Sequence, residues 1–164
     1  MLTGKTTYQL TRGSIQMDPA ETVILPKFMK LTSFGTNVYL IWSDGTLARY
    51  NTRNLEKPFL VEKINVVSQD GATVTALDFL LGNSSLLVGD SAGKIGVWFR
   101  KKVELAESPD REALVRGHLI GNGNTAVIRL ASSQRSRMFS AGLEDGTVRL
   151  YYATSQKLLL DEKI

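Results

Sequence analysis

One short motif occurs three times in the chain and constrains the fold more than any other feature of the sequence. In each copy a turn glycine is followed two residues later by an aliphatic residue and five residues later by an aromatic residue. The glycines lie 48 and 53 residues apart; they are Gly45, Gly93 and Gly146, and the aromatic residues are Tyr50, Trp98 and Tyr151. Repeats at this spacing are typical of propeller blades and other repeat arrays.

Each copy has the pattern of a β-hairpin. Asp44 with Gly45, and Asp145 with Gly146, stand between alternating apolar runs, which strongly favours a tight turn. Glycine adopts the positive φ that such a turn requires, and the aspartate can accept hydrogen bonds from nearby backbone. The middle copy, DSAG, places its acid further from the glycine. The sequence therefore predicts a different turn in that copy.

Further strand-like runs flank each hairpin, one before it and one after it. The preceding runs are KFMKLTS, TVTALDF and NTAVIRLAS, and the following runs are PFLVEKINV, ALVRGHLI and KLLLDEKI. Four short antiparallel strands in each repeat are typical of a propeller blade. We therefore expect an all-β fold, a partial β-propeller with three four-stranded antiparallel blades at about 21–68, 69–121 and 122–164, which together form one structural unit.

The N-terminal stretch GKTTYQLTRGSIQMD resembles the second half of a repeat with no first half before it. Residues 1–20 are accordingly predicted to be the trailing hairpin of an incomplete blade. Closed propellers have about four to eight blades, so an arc of three would expose the apolar sides of its end blades. We expect such an arc to associate with a second copy as a dimer.

The residue types present argue against an enzyme. The 164 residues include no cysteine and one histidine, His118. A disulfide framework, a cysteine-ligated zinc ion and a thiol nucleophile are thereby excluded. No glycine-rich stretch ends in the Gly-Lys-Ser/Thr sequence of a phosphate-binding loop. We expect no catalytic residue, no cofactor and no metal, and we interpret His118 as a structural residue that bonds to a turn.

Basic side chains provide the candidate binding residues. The net charge of +4 favours anionic partners. Arg135 and Arg137 in SSQRSR would share one face of an extended segment, and guanidinium groups bind phosphate or carboxylate through two parallel hydrogen bonds. Arg100, Lys101 and Lys102 form a second basic run. Solubilising surface charge is the competing interpretation, and nucleic acid is not an expected partner, because aromatic residues do not alternate with the basic ones.

From about residue 20 to 164 the repeats resemble those of the WD40-type β-propeller. The usual Trp-Asp ending is absent, and ARYN, GVWF and RLYY take its place. A Gly-His pair occurs once, in RGHLIG before the third blade. The resemblance implies a propeller fold, and it implies that Asp145 is the turn aspartate linked to His118 by hydrogen bonds.

Three stretches also resemble a propeller-like insert in large bacterial phosphate ABC-transporter permeases: LLVGDSAGKIGVWF, VRGHLI and SSQRSRMFSAGLEDGTVRLYYATSQKLL. This resemblance implies a non-enzymatic binding or regulatory domain, on the periplasmic side of a parent protein in the bacterial inner membrane. Its partners would be other transporter subunits or a binding protein, with phosphate as an alternative ligand, and it would meet the membrane only through the parent. The competing interpretation is a fragment of a cytoplasmic WD40-like protein-interaction scaffold.

Overall fold

The computed structural model describes residues 24–83, 85–121 and 123–164, together with the backbone of two strands nearer the N-terminus. Within this part of the chain there are three four-stranded antiparallel sheets and one two-stranded sheet. The N-terminal strands, β1 (Thr6–Leu10) and β2 (Gly13–Met17), pair with each other. A single 3₁₀ turn, at Leu81–Asn83, interrupts this otherwise all-β arrangement of the described residues. The predicted fold class is confirmed.

The three large sheets follow one another along the chain, and each is a simple meander. Sheet 1 contains β3 (Phe28–Leu31), β4 (Asn37–Ile41), β5 (Thr46–Asn51) and β6 (Phe59–Asn65). Sheet 2 contains β7 (Val74–Phe79), β8 (Ser85–Asp90), β9 (Ile95–Lys102) and β10 (Glu112–Ile120). Sheet 3 contains β11 (Val127–Ser132), β12 (Met138–Leu143), β13 (Thr147–Tyr152) and β14 (Lys157–Lys163).

The three repeated glycines close the same four-residue turn between the second and third strands of their sheets. Gly45, Gly93 and Gly146 have φ values of 89°, 76° and 85°. The amide of each donates to the carbonyl oxygen three residues earlier, which belongs to Trp42, Asp90 and Leu143 respectively. The prediction of a different middle turn is wrong, because Asp90 occupies the first position of the same turn.

The turn aspartates organise the backbone around them. Asp44 accepts the Thr46 amide at 2.9 Å, and Asp145 accepts the Thr147 amide at 3.0 Å. Asp90 is buried, and its two carboxylate oxygens accept three amides, those of Ala92 and Lys94 in its own turn and that of Ser68 in the connector from sheet 1. Asp90 therefore ties its turn to the preceding sheet.

Two apolar layers hold the three sheets side by side. The first lies between sheets 1 and 2, and the second lies between sheets 2 and 3. Because neighbouring side chains on a strand point to opposite faces, β9 contributes to both layers: Trp98 packs toward sheet 1 and Val97 toward sheet 3. Sheet 2 is therefore the middle member of the arc.

The outer faces of the arc carry exposed apolar side chains. On sheet 1 the exposed fractions of Met29 and Leu31 are 72% and 57%. On sheet 3 Ile128, Tyr152 and Leu160 are 45%, 39% and 43% exposed. Such faces are available for association, and the dimer stays a prediction. None of the helical structure in the described residues has the length and apolar character of a membrane span.

Loops of the three sheets gather at the end opposite the glycine turns. Antiparallel order places the loops after the first and third strands of a sheet at the same end. The Ser33 amide donates to Asn83 Oδ1 at 2.6 Å and so joins the loops that follow β3 and β7. The Ser132 amide donates to Asp78 Oδ2 at 2.8 Å and joins the end of β11 to the end of β7.

Candidate functional site

A buried guanidinium lies at the interface of sheets 1 and 2. Arg49 is on β5 on the same face as Leu47, and its exposed fraction is 0%. Its Nη1 and Nη2 contact the two carboxylate oxygens of Asp110 at 2.7 and 3.1 Å. Asp110 belongs to the loop between β9 and β10, so this two-pronged ion pair joins the sheets.

Every N–H donor of Arg49 has an acceptor. Besides Asp110, the acceptors are Glu62 on β6, the Asn37 side chain and the Glu112 carbonyl oxygen. Glu62 in turn accepts the Leu114 amide of sheet 2. A buried charge is tolerated where it is paired and fully hydrogen-bonded, so this cluster is a structural link that fills the space between the two sheets.

The Asp110 carboxyl makes this link sensitive to acid. Burial raises its pKa, but the hydrogen bonds and charge of Arg49 and the Asn51 hydrogen bond outweigh burial and hold the pKa below its usual 3.8. A carboxyl with a depressed folded pKa stabilises the protein above its unfolded pKa, and that stabilisation is lost as pH falls through the folded value.

We therefore expect the free energy of unfolding of the wild-type protein to fall more steeply below about pH 4 than that of an Asp110→Asn variant. Urea denaturation across the acid range measures both slopes. Asp44 and Asp145, whose pKa values are lowered by hydrogen bonds from Thr46 and Thr147, contribute equally to both proteins. If the free energies of unfolding of the two proteins fell in parallel with pH, Asp110 would not be a cause of the acid sensitivity.

The interface of sheets 2 and 3 has other residues at the corresponding positions. Strand pairing aligns Asn37–Asn51 of sheet 1 with Ser85–Phe99 of sheet 2, and it aligns Arg49–Glu62 with Val97–His118. The nine-residue loop 103–111, which supplies Asp110, corresponds to the four-residue loop 153–156 of sheet 3. Ser85 and Val97 are smaller than Asn37 and Arg49, and together with the shorter loop they leave this second interface open.

The opening is a cleft of about 410 Å³, hereafter the interface cleft. Its apolar walls include Val97 and Phe99 of β9 and Leu81 of the turn after β7. The polar groups are Ser85, His118, Arg137 and Thr154, and none of the described residues lining it is acidic. Ligand sites commonly have volumes of about 300–1,000 Å³ with mainly apolar walls and a few polar groups. The interface cleft fits that description.

The polar groups of the cleft are mainly donors. Arg137 is exposed, and its Nη1 lies 3.3 Å from the Thr154 hydroxyl. Among the described residues no carboxylate forms an ion pair with Arg137. The Gln156 amide nitrogen lies 3.0 Å from His118 Nδ1. This hydrogen bond joins β10 of sheet 2 to the loop after β13 of sheet 3.

The hydrogen bond of His118 corrects one prediction. The resemblance implied a link to Asp145, but His118 lies on the outer strand β10 of sheet 2 and contacts Gln156 in the loop after β13. Asp145 instead caps its own turn through Thr147. The Gly-His pair therefore takes part in the contact between sheets 2 and 3.

The predicted basic residues do not form one surface. Arg135 and Arg137 lie in the loop between β11 and β12, and of the two only Arg137 lines the interface cleft. Arg100 lies on β9 and pairs with Glu112 at 3.0 Å. Lys101 and Lys102 are exposed at the end of the same strand. Of these basic residues, Arg137 lines the interface cleft.

A second opening of about 330 Å³ lies beside the first strands of the three sheets. Lys30 and Asp78, which line it, form an ion pair at 3.6 Å, and Asp78 also accepts the Ser132 amide. Its charged groups therefore already have partners. Within residues 24–83, 85–121 and 123–164 no group of three acidic, histidine or cysteine residues could hold a metal ion.

Comparisons with known proteins identify the fold. No sequence-family profile matches the chain, and no curated protein matches it in sequence. Two solved structures resemble it at a TM-score of 0.67 and 10% identity: the structure of U3-55K and the crystal structure of RRP9 WD40 repeats. Each comparison covers 88% of this chain, whereas the chain spans only 41% and 40% of those proteins. The resemblance to a phosphate-transporter permease receives no support from these comparisons. The three sheets are a segment of a WD40-like β-propeller.

Proposed function

We propose that the chain is a non-enzymatic protein-interaction scaffold that binds a segment of a partner protein in the interface cleft. The fold supports this proposal, because propeller blades present rigid strands whose loops are free to vary. The interface cleft supports it more directly. It combines exposed apolar side chains with polar groups on four different strands and loops, so a bound segment would be both buried and oriented.

The single observation that carries the proposal is the contrast between the two interfaces. Between sheets 1 and 2 the corresponding space is filled by Arg49 and Asp110. Between sheets 2 and 3 it is an open cleft in which Leu81 and Phe99 are 41% and 39% exposed. Large apolar side chains exposed together beside a concave site are typical of interaction surfaces, whereas single exposed ones are not.

The more specific interpretation remains a set of predictions. A transporter parent, phosphate uptake and a periplasmic location rest on the sequence resemblance alone, as does the choice of transporter subunits as partners. The competing interpretation, a protein-interaction scaffold, agrees better with the WD40 neighbours, and its cytoplasmic location stays a prediction.

A selection from random peptides tests the proposed function. We expect peptides displayed on phage to be enriched on the purified chain, and their binding to be lost in a Leu81→Ser variant. Leu105→Ser is the matched control, because Leu105 is also an exposed loop leucine, at 57% exposure, and does not line the interface cleft. Failure to enrich any peptide, or equal binding by both variants, would contradict the proposal.

A further inference from the structure

We propose that the interface cleft recognises a partner segment in which a carboxylate side chain stands beside a large apolar side chain. This inference rests on the proposed function and specifies the chemistry of the partner. The bound segment would occupy the place that the Asp110 loop occupies between sheets 1 and 2.

The neighbouring interface provides the template. There a loop brings a carboxylate into the gap between two sheets, where it meets a guanidinium through two hydrogen bonds. The loop at the corresponding position of sheet 3 has four residues instead of nine and supplies Thr154, not an acid. The interface cleft therefore lacks the acid of its neighbour, and because Val97 takes the place of Arg49, its guanidinium comes instead from Arg137 of sheet 3.

The polar lining of the interface cleft, which includes the charged Arg137, also favours a carboxylate. Arg137 provides a guanidinium on its rim without a carboxylate partner among the described residues, and the hydroxyls of Ser85 and Thr154 line the same cleft. Thr154 already bonds to Arg137 and so holds the guanidinium toward the loop that follows β13. Donors with a positive charge select an acceptor with a negative charge, and Arg suits the planar carboxylate.

The apolar walls explain why a free anion is not the expected ligand. Leu80, Leu81, Val97, Phe99 and Ala153 supply most of the named lining. Of these side chains, Leu81 and Phe99 are exposed, at 41% and 39%. A small anion would leave both in contact with water, whereas an apolar residue next to the acid would bury them. A peptide with both kinds of side chain therefore contacts both the apolar walls and the polar groups of the interface cleft.

The test uses capped hexapeptides with a central Glu-Phe, Gln-Phe or Glu-Ser pair in a Gly/Ser background, and inorganic phosphate as a separate titrant. Amide NMR spectra of the purified chain report binding at residues such as Ser85 and Thr154. We expect the Glu-Phe peptide to bind about three- to fivefold more tightly than the Gln-Phe peptide, because Arg137 is exposed and an ion pair with an exposed partner contributes only modestly. The Glu-Ser peptide and phosphate alone should bind more weakly than the Glu-Phe peptide.

An Arg137→Gln variant should remove the preference for Glu over Gln. Arg135→Gln is the control, because Arg135 is exposed in the same loop and does not line the interface cleft. Three results would overturn the inference: no shift with the Glu-Phe peptide, equal affinity of the Glu-Phe and Gln-Phe peptides, or binding of phosphate as tight as that of the Glu-Phe peptide. If the phage selection still yields neutral peptides that depend on Leu81, the proposed function stands without this inference.

Discussion

An Arg49→Met variant should lose about 3–5 kcal/mol of unfolding free energy, the usual cost of breaking a buried ion pair by removing one partner. The substitution leaves the carboxylates of Asp110 and Glu62 near the interface without their shared cation. Both retain some hydrogen bonds from backbone or neighbouring side chains, but neither retains an ion pair with any of the described residues. Urea denaturation followed by fluorescence measures the loss.

Arg149→Met is a closely matched control. Arg149 also lies on the third strand of its sheet and pairs with a fourth-strand carboxylate, Asp161, at 3.1 Å. Asp161 has an exposed fraction of 42%, however, and exposed pairs contribute only about 0–1 kcal/mol. Equal losses in the two variants would contradict the role assigned to Arg49. A second change, Asp110→Asn, should recover part of the loss in the Arg49→Met background, because it removes the unpaired charge.

A Gly93→Ala variant should be destabilised far more than its small change in volume suggests. The added Cβ would lie 2.5 Å from the Thr125 carbonyl oxygen, and the φ of 76° disfavours any residue with a side chain. The positive φ alone costs about 1–2 kcal/mol, and the contact forces backbone of the connector before β11 to move. We expect a lower melting temperature and faster amide exchange in β11.

Gly35→Ala separates the two causes. Gly35 has a similar φ of 64°, but nothing lies within 4 Å of the position where a Cβ would be. The free energy of unfolding of that variant should fall only by the cost of a side chain at positive φ, about 1–2 kcal/mol. If Gly93→Ala and Gly35→Ala lower the melting temperature equally, close packing of the Gly93 turn against the connector contributes nothing.

The hairpins were predictable because their determinants are local. Aspartate and glycine between alternating apolar runs define both the turn and the side of each strand that is buried. The middle turn was predicted incorrectly because that prediction also used only local spacing. The position of Asp90 relative to Gly93 differs from the other copies, but the hydrogen bond from Gly93 to Asp90 produces the same turn.

Arg49 could have been noticed in the sequence, whereas its partner could not. It alternates with Leu47 on the buried face of β5, so a partner of opposite charge had to exist. Asp110 lies 61 residues away in a loop, and strand periodicity gives no information about which loop approaches. The link between His118 and Gln156 was missed for the same reason.

The interface cleft depends on a comparison that requires strand register. Alignment on the turn glycines already matches Val97 to Arg49, but Ser85 corresponds to Asn37 and His118 to Glu62 only when the pairing of both sheets is known. The sequence singled out Arg137, but it grouped Arg137 with Arg135 on the assumption of an extended segment. Both lie in the loop between β11 and β12, where no strand imposes alternation, and only Arg137 lines the interface cleft.

The separation of Arg49 from Asp110 also matters while the chain is being made. At about 5–20 residues per second, a ribosome needs roughly 3 to 12 s to add those 61 residues. Until then Arg49 has one acidic partner, Glu62 of its own sheet, and lacks the second, Asp110. The Arg49–Asp110 ion pair therefore cannot join the first two sheets until residue 110 has been added to the growing chain.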